Sequence, residues 1–254
     1  MEILDYGYCK LTVVPIRASN SDASEIVTQL LFGDLVEIIE KGKPWIKIRF
    51  PQENYEGWMD FKQLTYLNHL EYKTLLNEPV TYLKDAMAFV KGPTGLQTLF
   101  LGSALRNLNA SSMRLGEETY TFLQAPNQEN KSLVEKAMAY LNAPYLWGGK
   151  SLFGIDCSAL VQNCLKAEGI ILPRDASQQV NSGISVNFED RQVGDIPFFI
   201  NAKGKVHHVG ILINKNEIIH AAVQVRIDQF DDRGIFRKDF DDYTHQYYSI
   251  RRIG

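Results

Sequence analysis

From Ser132 onward the chain is written helix first and sheet afterwards, and this order constrains the fold more than any other feature. Ser132 can cap a helix in which Leu133, Ala137 and Leu141 share one face. A second apolar stripe, Leu160, Val161, Cys164 and Leu165, ends at Gly169, the residue type that best closes a helix. Runs with strand character then follow at "DIPFFI", "HHVGILI", "EIIHAAV" and "YYSIRRI". That succession is typical of an α+β domain.

The first part of the chain has a different texture. "CKLTVVPIR", "GDLVEIIEKG", "PWIKIRF" and "YEGWMD" are short runs broken by Gly, Pro, Asn and Asp, the signs of strands and turns. Apolar and polar residues alternate through Trp45, Ile46, Lys47, Ile48 and Arg49, the period of a half-buried strand. We therefore expect a small barrel over residues 1–66. Residues 67–125 are expected to form a second, weaker barrel-like module or a linker, with a helical insert in "HLEYKTLLNEPVTYLKDAMAFVKG" as the rival. The α+β domain then occupies 126–254. With 254 residues the chain is long enough for two or three domains.

Composition removes several classes of function. Hydrophobic residues at 45% and charged residues at 22% are ordinary for a globular protein, which excludes disorder and coiled coil. A net charge of -3, with Lys and Arg scattered, offers no basic stripe, so nucleic acid is not an expected partner. No stretch reaches the ~20 apolar residues of a membrane span, so no membrane partner is expected. The N-terminal text lacks a signal-peptide pattern, and three cysteines at unpaired spacing fit a reducing compartment; a cytoplasmic location is expected.

The chemistry concentrates on Cys157. It follows Asp156, a plausible helix N-cap, so it falls in the first helical turn. Free N–H groups and the positive end of the helix dipole there are expected to favour thiolate over thiol. Cys164, inside the apolar stripe, is expected to be inert filler. A thiolate for acyl transfer needs an imidazole to take and return a proton. The chain has five histidines: His69, His207, His208, His220 and His245. If "HHVGILI" and "EIIHAAV" form a hairpin whose loop is Asn214, Lys215 and Asn216, His220 faces Gly210 and the rings of His208 and His220 become diagonal neighbours on one face. A two-residue loop would put them on opposite faces. His207 alternates to the other side. A cysteine, a base and a second group orienting the base reproduce the logic of a catalytic triad.

The motifs "YLWGGKSLFGIDCSALVQ", "LPRDASQQ", "VGDIPFF", "HHVGILI" and "IIHAA" occur in the order found in the NlpC family of cysteine peptidases, which residues 131–254 resemble. The resemblance implies a papain-like catalytic fold, with Cys157 as nucleophile, His208 as general base and His220 as the orienting residue. It also implies that Tyr145 and the Cys157 N–H serve the oxyanion, with Asp156 and Ser158 flanking the nucleophile. Family text reads Asp-Cys-Ser-Gly where this chain has Ala159, a good helix former. The first segment resembles a bacterial SH3-like domain.

Family members with such domains cut the γ-D-Glu to diaminopimelate or lysine bond of murein peptides. For this chain the resemblance implies a murein tripeptide or tetrapeptide substrate with a free N-terminal L-Ala, in peptide recycling. It places Tyr55, Asp175 and Ser177 in substrate binding and Trp147 in the cleft wall. Packing for Tyr55 and a helix-capping role for Asp175 are the plainer alternatives. An exported hydrolase acting on intact stems, or a wall-binding protein without activity, are the rival functions. No cofactor is expected: "GGKS" lacks the first glycine of a phosphate loop, because Pro144 stands there, and the Cys and His spacings do not suit a metal.

Overall fold

The computed structural model describes residues 2–127 and 129–254 and divides into two compact units. The first holds the chain up to Glu129 together with Trp147–Ser151 and Ala167–Gly169. The second holds Asn130–Leu146, Leu152–Lys166 and Ile170–Gly254. Among the described residues no helix is long and apolar enough to cross a membrane.

The first unit begins with β1 (Asp5–Tyr8), β2 (Val13–Arg17), β3 (Ile26–Leu31), β4 (Leu35–Glu40), β5 (Trp45–Phe50), β6 (Tyr55–Asp60) and β7 (Thr65–Leu67). They form one antiparallel sheet in the order β3-β2-β6-β5-β4-β1-β7. In β5 the residues Ile46, Ile48 and Phe50 are buried and the intervening ones half-exposed, so the alternation legible in the text is the alternation of the sheet faces. Val14, Ile16, Leu30, Val36, Ile38, Ile46, Ile48 and Met59 make the core.

The next segment contains both a helix and strands. α1 (His69–Asn77) opens with a reciprocal capping box between Asn68 and Glu71. After it come β8 (Val80–Tyr82), β9 (Met87–Gly92), β10 (Gly95–Phe100), β11 (Ala104–Arg106), β12 (Ser112–Leu115) and β13 (Glu118–Phe122). β10-β9-β13-β12 form a four-stranded sheet, and β11 pairs with β8. Tyr72, Leu75, Val90, Leu99 and Tyr120 share a core with Tyr8 and Phe32 of the preceding sheet. The expected division at residues 66 and 67 therefore falls within a continuous core.

The second unit carries α2 (Leu133–Met138), capped by Ser132 with Glu135 closing the box. Beyond β14 (Lys150–Ser151), which groups with the first unit, come β15 (Gly154–Ile155), α3 (Cys157–Lys166) and α4 (Ala176–Gln179). The sheet consists of β16 (Ile184–Val186), β17 (Ile196–Ile200), β18 (Val206–Asn214), β19 (Glu217–Ala222), β20 (Gln224–Phe230), β21 (Gly234–Arg237) and β22 (Asp242–Arg252). Its order is β16-β22-β17-β18-β19-β20-β21, and β21 also pairs with β22, so six strands close into a barrel. Phe199, Leu212, Ile218, Phe230, Ile235 and Ile250 form a core on this sheet. α3 packs against β18 and β19, which brings the cysteine-bearing helix to the histidine-bearing strands.

Candidate active site

Every residue of α3 is buried, its polar side chains included. Gln162 Nε2, for example, donates to the Leu172 carbonyl at 2.9 Å. The helix starts where expected. Asp156 Oδ1 accepts from the Ala159 N–H at 2.8 Å and from the Ser158 hydroxyl at 3.1 Å. That satisfies one of the donors a helix start leaves unpaired. The same carboxylate is gripped by Arg174, whose Nη1 donates to Asp156 Oδ1 at 3.1 Å and to Ser158 Oγ at 2.8 Å. Asp156 and Ser158 thus form the mount that holds Cys157 from both sides.

Cys157 Sγ receives hydrogen bonds from the backbone N–H groups of Ser158 and Val209. Val209 directly follows His208, so the contact ties the sulfur to the strand that carries the base. Against the pull of the helix dipole toward thiolate, the burial of the site favours the thiol. Burial, reinforced by the Asp156 charge, pushes the Cys157 thiol up to about 12, and the two N–H groups with Arg174 only partly oppose it. Cys164 is fully buried in the stripe, as expected of filler, and burial pushes it to about 12 as well.

The β18–β19 hairpin corrects the expected loop. Asn214 pairs with Glu217, leaving a two-residue turn of Lys215 and Asn216, yet Gly210 still faces His220 and Leu212 faces Ile218. A one-residue irregularity between Leu212 and Asn214 accounts for the difference. An extra residue in one strand shifts the register by one, which undoes the face reversal a two-residue turn would impose. The two rings consequently meet, with His208 Nε2 and His220 Nδ1 2.8 Å apart and both side chains buried.

Three further groups surround this pair that the text did not single out. Asp228, diagonal to His220 across β19 and β20, places Oδ2 2.9 Å from His220 Nε2. Arg226 Nη2 donates to Asp228 Oδ1 at 2.8 Å and to Asp239 Oδ1 at 3.1 Å. His245 on β22 stacks on His208, and the exposed His207 in turn lies nearly parallel to His245 at 5.8 Å. Burial lowers both His208 and His220 below the ordinary imidazole range, His208 strongly, with the neighbouring histidines adding to the effect on it. Burial pushes Asp228 up, but its bond to His220 and the Arg226 charge outweigh that and hold it ionised. The alternation of "VRIDQF" would have found a strand, but nothing in it indicates which strand lies beside it.

The remaining expected residues are distributed as follows. Tyr145 is half-buried, held by its N–H bond to the Val223 carbonyl at 2.8 Å. Burial is the largest influence on its phenol and raises it above the ordinary tyrosine range. Asp175 and the exposed Ser177 lie at the start of α4, next in the chain to Arg174. Tyr55 and Trp147 belong to the first unit. The Tyr55 ring packs against the barrel core, while exposed Trp147 donates its indole N–H to Glu25.

A helix-borne cysteine on an antiparallel barrel with paired histidines defines the class as a papain-like cysteine peptidase. Residues 142–247 match the description "NlpC/P60 family", and residues 16–64 match "Bacterial dipeptidyl-peptidase Sh3 domain". A γ-D-glutamyl-L-lysine dipeptidyl-peptidase of Bacillus cereus is 31% identical over 79% of this chain and 68% of its own length. The enzyme of that name from Bacillus subtilis is 29% identical over 77% and 72%. Dipeptidyl-peptidase 6 of Lysinibacillus sphaericus is 26% identical over 85% and 89%. The crystal structure of an NlpC/P60 family protein from Bacillus cereus superposes with a TM-score of 0.80 at 22% identity, covering 98% of this chain and 99% of that one. The chain belongs to the NlpC/P60 family of cysteine peptidases.

Proposed function

We propose that the protein hydrolyses the γ-D-Glu to diamino acid bond, with diaminopimelate or lysine, of murein tri- or tetrapeptides that carry a free N-terminal L-Ala. The observation that carries this reading is the hydrogen-bonded His208–His220 pair on the strands against which the Cys157 helix packs. The names of the relatives support the choice of bond. His208 takes the Cys157 proton as sulfur attacks the γ-carbonyl, and the negative oxygen of the tetrahedral intermediate is received by the Cys157 N–H and the Tyr145 hydroxyl. The protonated His208 then delivers its proton to the departing amine, leaving L-Ala-γ-D-Glu as a thioester on Cys157. Water, deprotonated by the same imidazole, releases the dipeptide.

Asp175 supplies a carboxylate for the substrate ammonium, an attraction strengthened by hydrogen bonding, and Ser177 assists it. A requirement for a free amine selects released peptides over glycan-linked stems. We read the role as recycling of such peptides in the cytoplasm. Incubation with free L-Ala-γ-D-Glu-L-Lys or its diaminopimelate counterpart is expected to release the dipeptide, while glycan-linked stems persist. Faster cleavage of the stems would favour a wall hydrolase and overturn the recycling role.

A further inference from the structure

Building on the proposed Cys157–His208–His220 mechanism, we propose that Asp228 is a positioning residue that fixes the direction in which this histidine pair can pass a proton. An ionised carboxylate only accepts hydrogen bonds, so the His220 nitrogen facing it, Nε2 at 2.9 Å, must carry the hydrogen. Neutral His220 then presents a bare Nδ1 to His208 Nε2, 2.8 Å away, and that nitrogen must in turn be the N–H. His208 is left with a bare Nδ1, the form that can take the thiol proton. The opposite tautomer of His220 would set a lone pair against the carboxylate. It would also donate to His208 Nε2, shift the His208 hydrogen to Nδ1 and abolish its use as a base toward Cys157.

The surroundings keep Asp228 in the accepting state. Arg226 donates to its second oxygen, Oδ1, at 2.8 Å, and Asp239 holds Arg226 in place at 3.1 Å. Asp239 is itself bound by Arg237 Nε at 3.1 Å. The carboxylate is buried, so water does not compete for the bond to His220. Asparagine at this position has the same shape but can turn an amide N–H toward His220 Nε2 and reverse both tautomers. A carboxylate-to-amide change behind a catalytic histidine is known to cost orders of magnitude in turnover through the wrong tautomer.

The test compares wild type with Asp228→Asn by three measurements. Imidazole nitrogen NMR of the wild type is expected to show His220 protonated at Nε2 and bare at Nδ1, and the variant the reverse. Turnover of L-Ala-γ-D-Glu-L-Lys is expected to fall at least about a hundredfold with KM within about twofold. Alkylation of Cys157 by iodoacetamide near neutral pH is expected to slow in parallel. NMR and alkylation need no peptide substrate, so they stand even if the assigned substrate is wrong. Loss of peptide cleavage in wild type with the expected tautomers would instead fault the substrate reading alone. A wild-type His220 protonated at Nδ1 overturns the proposal whether or not the variant folds. So does a variant with kcat within about threefold of wild type.

Discussion

The imidazole of His245 lies face to face with that of His208, ring centroids 4.0 Å apart and planes inclined by 28°. Burial, then the nearby His220 and His207, holds His245 down at about 3, and burial lowers His208 and His220 in the same direction. Unfolded histidine takes its proton near pH 6.5, so between about pH 6.5 and 3 the unfolded chain binds more protons than the native one. Stability is therefore expected to be full above about pH 6.5 and to fall on acidification, by about 1.4 kcal/mol per pH unit from His245, with His208 and His220 acting in the same direction. His245→Phe keeps a stacked ring and removes one titrating group. Urea unfolding from pH 4.5 to 7 should show a slope shallower by about one proton, and an unchanged slope would contradict the assignment.

The resting nucleophile is expected to be a neutral thiol beside a neutral imidazole, because burial raises Cys157 and lowers His208. Thiolate absorbance near 240 nm, taken as wild type minus Cys157→Ala, should stay flat from pH 5 to 8. A plateau of thiolate signal in that range would instead indicate a preformed ion pair.

Arg174 is 1% exposed and bonds both Asp156 and Ser158. Arg174→Met leaves the Asp156 carboxylate in a buried site without its cation, a change that costs about 3–5 kcal/mol. The midpoint of chemical denaturation should shift accordingly. A loss under about 1 kcal/mol would mean that the pair does not hold the helix start.

Gly210 faces His220, and a Cβ there would come within 2.6 Å of Ile218 Cδ1 and 2.9 Å of the Ile219 carbonyl oxygen. Relief of that overlap requires β19 to move, at a cost of about 1–3 kcal/mol. Gly210→Ala is expected to lower kcat at least about tenfold, since the 2.8 Å link between the histidines depends on strand spacing. Unaltered kinetics would show that the hairpin tolerates the shift.

What the text revealed and what it concealed divide along the range of the interactions. The alternation in Trp45–Phe50 and the stripe in α3 are local periodicities, and both survive folding intact. Residue type and an assumed three-residue loop placed His208 beside His220, and the two rings do meet, though through an irregularity in the strand rather than through that loop. The irregularity after Leu212 was not legible, because it leaves no mark on the hydrophobic pattern, although the pairing at Gly210 and His220 depends on it. Asp228 reaches His220 only through the β19–β20 register, and Arg174 reaches Asp156 across 18 positions of chain. The helix start at Cys157 was legible, but the burial that opposes its dipole arises from packing against β18 and was not.

In the proposed mechanism Cys157 carries the acyl group of the cleaved peptide. Incubate wild type and Cys157→Ala with L-Ala-γ-D-Glu-L-Lys, quench in acid, and read intact mass and released dipeptide together. Wild type should release L-Ala-γ-D-Glu and show a transient dipeptidyl adduct that maps to Cys157, and the variant should show neither. Dipeptide release that persists in Cys157→Ala would contradict the account.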